Sequence, residues 1–207
     1  LEKNGVFVLP EQVSFDQATF VEPLACVIRG QRIACLKKGE SVLVLGSGIA
    51  GLLHILLASN SGAGCIVATD ISEYRLKAAY ACGACAGFNA RQYTPEKLRQ
   101  VNQGRLADLV ILAASAPSAI QQGLDSVEPG GTVLFFAPTK GDVEIPLAFN
   151  RIFWRTEITL TSSYAASPAE YQAALDLIAS GQLNLEPLIT HRLGLDKTGE
   201  GFRLVEE

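Results

Sequence analysis

The sequence predicts an α/β fold: an open, doubly wound parallel sheet with helices on both faces. Three observations predict it. Short apolar runs alternate with helix-patterned segments through most of the 207 residues. One run, Ser41 to Leu45, leads directly into Gly46-Ser47-Gly48-Ile49-Ala50-Gly51 and an apolar helical stretch reaching Ser59. The next run, Cys65 to Thr69, ends on the acid Asp70. Strands alternating with helices at this spacing are joined by right-handed crossovers, and these build a parallel sheet.

The elements follow in order. Residues 1 to 21, with Gly5, Pro10 and the run Val6-Phe7-Val8-Leu9, read as an extended segment and a loop. A helix is predicted from Glu22-Pro23, because proline's missing amide proton costs nothing in a first turn; Lys37-Lys38-Gly39 supplies the cations and the glycine that close helices. Ser41 to Leu45 is the first strand, the glycine turn opens a helix at Ile49, and Cys65 to Thr69 is the second strand. Ser72 caps a helix from Glu73 to Cys82, a weak strand follows near Cys85 to Phe88, and Thr94-Pro95-Glu96 opens a helix ending by Gly104. Asp108 to Ala113 has the unbroken apolar character of a strand buried on both faces. Pro117 to Val127 is predicted as a helix, Pro129-Gly130-Gly131 as a turn, Thr132 to Phe136 as a buried strand, Val143 to Pro146 as a short edge strand and Glu157 to Ser162 as the sixth main strand. Pro168 to Ser180 is an amphipathic helix closed by Gly181, while Leu188 to Leu193 and Asp196 to Glu207 are expected to leave the domain. Six main strands in the order 3-2-1-4-5-6 make this the Rossmann arrangement.

The glycine turn carries the chemistry. Strand, glycine turn, helix, strand and acid form the dinucleotide-binding fingerprint in its required context. Gly46 permits the tight turn, Gly48 lets backbone amides approach a pyrophosphate, and Gly51 lets helix and strand pack closely. The helix opening at Ile49 points its unpaired amides and positive dipole end at that pyrophosphate. Asp70 lies nineteen residues beyond Gly51, where a carboxylate accepts both hydroxyls of an adenosine ribose and repels a 2′-phosphate. NAD is therefore expected in preference to NADP. Plainer roles stand beside these: a packing turn for the glycines, a turn cap for Asp70, a solvated cation for Arg75.

Composition narrows the partners. Hydrophobic residues make up 48% and charged residues 18%, enough for a large core and against disorder. Net charge is −4 and no Lys/Arg run exceeds two, so neither nucleic acid nor an anionic membrane is an expected partner. No apolar run has the length of a membrane span. Five cysteines, scattered through apolar segments, fit a reducing cytoplasmic setting better than a disulfide framework. Cys82 and Cys85 form a CxxC without a second pair and read as ordinary small residues. His54 and His191 read as structural, and Phe153 and Trp154 as core or subunit-interface anchors. The absence of Met and the opening at Leu1 suggest a fragment.

Beyond the glycine turn, several passages resemble the zinc-containing medium-chain dehydrogenase/reductase family in its polyol (sorbitol) and threonine dehydrogenase branch. They are Leu9-Pro10, Thr19 to Val27 with its Glu22-Pro23-Leu24, Gly46 to Gly51, Asp70 with Arg75, Pro129 to Thr132, and Pro187 to Arg192. The resemblance implies an alcohol dehydrogenase-like oxidoreductase that moves a hydride from a zinc-bound secondary alcohol to NAD. Glu22 then matches the carboxylate at the catalytic zinc. Gly46, Gly48, Ile49, Ala50 and Gly51 match the pyrophosphate turn, and Asp70 and Arg75 the ribose contacts. Phe136-Ala137-Pro138 and Ser163-Tyr164 match the loops around the nicotinamide, and Arg192 a residue near the substrate. It further implies residues 1–23 as a remnant of a catalytic lobe, 24–187 as the NAD domain and 188–207 as the return to that lobe, the other zinc ligands lying upstream of Leu1. Ala50 replaces a bulkier residue, and Ala113-Ala114-Ser115 lacks the expected polar or glycine pattern.

The fragment alone is expected to bind NAD weakly and to turn nothing over. The rival readings are an S-adenosylmethionine-dependent methyltransferase, disfavoured by Leu45 where such loops carry an acid, and a nucleotide-sensing domain without catalysis. An uncovered last strand leads to a homo-oligomer, a dimer or tetramer.

Overall fold

The computed structural model describes residues 5–139, 141, 143–145 and 149–206. Its centre is a six-stranded sheet of β1 (Val42–Leu45), β2 (Ile66–Asp70), β3 (Ala86–Asn89), β4 (Ala107–Leu112), β5 (Val127–Phe135) and β6 (Thr159–Ser162). The spatial order is β3-β2-β1-β4-β5-β6, and every pairing is parallel. This is the Rossmann arrangement that the alternating pattern predicts.

Side chains alternate across a strand, so each central strand feeds two cores. Val42 and Val44 of β1, with Leu109 and Ile111 of β4, pack into one. Leu43 and Leu45, with Val110 and Leu112, pack into the other. On the first face lie α2 (Val21–Ile33), α3 (Ile49–Asn60) and α8 (Pro168–Ala179); on the second lie α5 (Pro95–Val101) and α6 (Pro117–Asp125). Burial on both sides explains why these strands read as unbroken apolar runs. An ionic contact fastens α8 to α2. The Glu170 carboxylate accepts from Arg32 Nη2 at 2.7 Å and from the Ser167 backbone amide at 2.7 Å. Hydrogen bonds from Ser167 and the Arg32 guanidinium hold its carboxyl down at about 2.

Several boundaries differ from those predicted. The helix begun near Glu22 ends at Ile33, because Cys35 takes a left-handed conformation with φ 55° and turns the chain before Lys37. A short α1 (Phe15–Ala18), capped by Ser14, lies within the predicted loop. The helix α6 ends at Asp125, and Pro129-Gly130-Gly131 lies inside β5 as an irregularity rather than before it. Between Ala107↔Val127 and Leu109↔Thr132 the register shifts to absorb these residues. Residues 143–145 form no strand, and Pro146 lies outside the described residues. Phe153 and Trp154 are exposed rather than core. Leu188 closes a 3-10 turn, Glu186–Leu188, and is buried in the first core. The remaining helices are α4 (Glu73–Ala81), α7 (Phe149–Ile152) and α9 (Thr198–Glu206).

Candidate functional site

Consecutive strands step from β1 through β2 to β3 in one direction, and the chain then crosses back to β4 on the other side of β1. Ligands of open α/β sheets bind at the carboxyl ends of the strands where the order reverses in this way. Gly46 stands there, directly after β1. Its φ of +100° is one that side-chain-bearing residues avoid, and a Cβ on it would lie 2.8 Å from Ala114 Cβ. The two strand ends are that close, which accounts for the small Ala113-Ala114 pair after β4.

Gly51 is held more tightly. A Cβ there would sit 1.9 Å from the Gly46 carbonyl oxygen, so α3 can leave the turn at this angle only with glycine. Gly48 is the residue before α3, and no atom lies within 4 Å of where its Cβ would be. Open space at an uncapped helix start leaves the amides free to meet an anion.

Asp70 is buried at 6% exposure and fixed by two backbone amides. Its Oδ2 accepts from Ser47 N at 2.8 Å and its Oδ1 from Ser72 N at 2.9 Å. The first bond ties the acid to the glycine turn, and each oxygen keeps a lone pair for a ligand hydroxyl. A cavity of about 560 Å³ opens beside it, lined by Gly46, Asp70, Arg75, Ala114, Arg91 and Gln122 among others. Arg91 and Gln122 escape a linear reading. The first follows β3, whose last residue Asn89 pairs with Asp70; the second reaches over from α6 and donates to Ala90 O at 2.8 Å. Only the neighbourhood of β3's carboxyl end, a consequence of strand order, signals them.

A second cavity, of about 380 Å³, lies across the glycine turn and is lined by Glu22, Cys26, Ala50, Phe136, Ser163 and Tyr164 among others. It gathers residues from α2, α3 and the ends of β5 and β6 that are far apart in sequence. Ser163 Oγ is buried there without a hydrogen-bond partner among the described residues. An unsatisfied buried hydroxyl costs free energy, so a polar ligand atom is the natural partner for it. Phe136 is propped from behind by the His54 ring, edge-on at 4.5 Å. His54 is fully buried; burial lowers its imidazole to about 3, so it is neutral. Cys26, one helical turn after Glu22, donates to the Glu22 carboxylate at 3.4 Å, and burial followed by that neighbour raises its thiol to about 11. The i, i+4 spacing on α2 is the sequence signal for this pair.

Not every predicted residue joins these cavities. Ala137 and Pro138 are absent from the lining of the second, although Ala137 N donates to Leu112 O at 2.9 Å and holds the loop beside it. Arg192 lines neither cavity; its guanidinium reaches Asp16 and Glu186, each at 2.7 Å. His191 is exposed next to Thr190. Cys85 meets Cys65 rather than Cys82. Among the described residues no group of three or more His, Cys, Asp or Glu is arranged to hold a metal ion. Glu22 and Cys26 do not suffice for zinc, which takes at least three protein ligands in catalytic sites.

Residues 50–180 match the family described as zinc-binding dehydrogenase. The chain belongs to that family. The chain is 31% identical over 211 residues to a protein of Aspergillus clavatus named "Probable D-xylulose reductase A", covering 100% of this chain and 58% of that one. It is 29% identical over 204 residues to sorbitol dehydrogenase of Mus musculus, covering 97% and 56%. Among solved structures, the alcohol dehydrogenase TADH from Thermus sp. ATN1 superimposes with a TM-score of 0.86 at 30% identity, over 97% of this chain and 58% of that one. Galactitol-1-phosphate dehydrogenase from Escherichia coli gives a TM-score of 0.88 at 26% identity, over 99% and 61%. The chain thus spans a little over half the length of the relatives it matches. A methyltransferase is not favoured: the family match is to dehydrogenases, and the sheet pairings are parallel throughout, with no terminal antiparallel hairpin among the described residues.

Proposed function

We propose that this chain is the cofactor-binding portion of an NAD-dependent, zinc-containing dehydrogenase that oxidises a secondary alcohol of a polyol. The observation that carries the reading is the pair of cavities on either side of one glycine turn, with a fixed carboxylate at the far end of the first. That is the division a dinucleotide needs: adenosine on one side, pyrophosphate on the turn, nicotinamide on the other. Asp70 accepts the ribose hydroxyls, Arg75 flanks them, and the free amides of Gly48, Ile49 and Ala50 take the pyrophosphate. Ser163 Oγ donates to the nicotinamide amide, with Phe136 and Tyr164 as walls.

The bound nicotinamide supplies a hydride acceptor. Glu22 and Cys26 border the cavity where the ring would lie, so the substrate carbon approaches from their side. Zinc in the whole protein would need ligands from outside the described residues, with Glu22 as the carboxylate nearest to it. The names of the relatives, sorbitol dehydrogenase and D-xylulose reductase, support a polyol as the substrate class. Residues 24–187 are read as the dinucleotide domain and 188–207 as the segment that returns toward a catalytic lobe, with Arg192 near the substrate.

Calorimetric titration of the chain with NAD and NADP tests the assignment. NAD should bind at least about tenfold more tightly, a difference of about 1.4 kcal/mol, because a 2′-phosphate would face the Asp70 carboxylate. Tighter NADP binding would overturn the cofactor preference, and no binding of either would overturn the site.

A further inference from the structure

The Cys65 and Cys85 thiols lie far from the glycine turn and play no part in the proposed function. Cys65 precedes β2 and Cys85 precedes β3, so both stand at the amino ends of neighbouring strands, opposite to Asp70. The five residues of β2 separate the two ends by about 16 Å. The Sγ atoms are 2.7 Å apart, and both cysteines are free thiols. Sheet pairing fixes the approach, since Cys85 N donates to Ile66 O at 2.8 Å. A disulfide bond of about 2.04 Å is well under an ångström shorter than the 2.7 Å that already separates the two sulfurs.

We propose that Cys65 and Cys85 form a reversible disulfide, a thiol modification site that responds to low-molecular-weight disulfides such as oxidised glutathione. Cys85 is the exposed member and meets the oxidant; Cys65 is half-buried behind it. Burial, and then the Cys85 neighbour, push the Cys65 thiol up to about 12, which suits it to the second step rather than the first. In the first step the Cys85 thiolate attacks one sulfur of the oxidant, forming a mixed disulfide and expelling one glutathione thiolate, which takes up the proton that Cys85 lost. In the second, Cys65 sulfur attacks Cys85 sulfur, the mixed disulfide breaks, and the second glutathione leaves with the Cys65 proton. The chain loses two hydrogens, and one oxidised glutathione becomes two reduced molecules. Proximity makes the second step effectively intramolecular and fast.

The other cysteines serve as internal controls. Cys35 is exposed without a neighbouring thiol, Cys82 is buried with its thiol raised to about 11, and Cys26 is bonded to Glu22. The chain would be incubated with oxidised glutathione near pH 8, close to the ordinary thiol pKa of about 8.5, then denatured, alkylated with N-ethylmaleimide and mapped by mass spectrometry. The expected result is a linked pair of peptides holding Cys65 and Cys85, reverting on dithiothreitol, with glutathione retained on Cys35. In C65A the same treatment should leave glutathione trapped on Cys85. Cys65 and Cys85 both alkylated in the native chain, or each carrying its own glutathione, would overturn the proposal; that mapping needs no variant to fold.

Discussion

At Gly51 a single missing Cβ decides the geometry of the site. The 1.9 Å approach to the Gly46 carbonyl leaves no direction in which an added methyl could relax, because its neighbour is backbone. Gly51→Ala is therefore expected to push α3 off the turn, destabilise the chain by about 1–3 kcal/mol and abolish NAD binding. Thermal denaturation and calorimetry would check both effects. Gly48→Ala is the contrast. Nothing lies within 4 Å of its Cβ, so it should leave folding unchanged and weaken only the nucleotide. At this scale the site was legible wherever the chemistry is local. Glycines after a strand and an acid at the end of the next announce themselves in sequence. Arg91 and Gln122 did not, because their places come from strand order, which brings the end of β3 and the face of α6 to Asp70.

Among the elements, the central strands were legible and the ends of helices were not. Strands β1 and β4 carry apolar residues into both cores, and a short unbroken apolar run next to a glycine turn or an acid reads as such a strand. The end of α2 depended on a non-glycine residue, Cys35, adopting positive φ, and sequence gave Lys37-Lys38-Gly39 as the stronger stop signal. Pro129-Gly130-Gly131 has the composition of a turn, yet β5 absorbs these residues by shifting register. Helices α2 and α3 meet through a polar contact inside the core. Gln31 Nε2 donates to His54 O at 2.8 Å and lies 3.3 Å from Nδ1, while His54 Nε2 has no partner among the described residues. This has a pH consequence. Burial lowers the folded-state imidazole to about 3 from an ordinary 6.5, so between those values the unfolded chain binds a proton that the folded chain refuses. The stability that His54 contributes is present above about 6.5 and is lost as pH falls toward 3. His54→Leu removes the group and keeps Gln31's bond to the backbone carbonyl. The variant should gain on the native chain by roughly 2 kcal/mol between pH 7 and pH 5, read as a smaller fall in the urea midpoint. An identical pH dependence in both chains would rule out a buried neutral imidazole.

For the whole molecule, the sheet leaves β6 as an edge strand with no partner on its outer side among the described residues. Edge strands invite pairing unless they are charged, bulged or covered. Thr159-Leu160-Thr161-Ser162 carries no charge and no proline. Beside it in sequence, Phe149, Phe153 and Trp154 are exposed, with Trp154 at 59%, and the Phe149 and Phe153 rings touch at a tilt of 48° with centroids 5.7 Å apart. Aromatic side chains left in water next to an open edge are what an interface core needs, and a net charge of −4 repels a second copy only weakly. Two copies joined edge to edge would extend one sheet across both and remove the aromatics from water, without touching the glycine turn at the strand ends. The chain is accordingly expected to sediment as a dimer or larger. Trp154→Lys should shift it toward monomer while leaving its far-ultraviolet circular dichroism and its NAD titration unchanged, since the side chain lines neither cavity. A native chain that sediments only as monomer at micromolar concentration would show that the edge is protected in some other way.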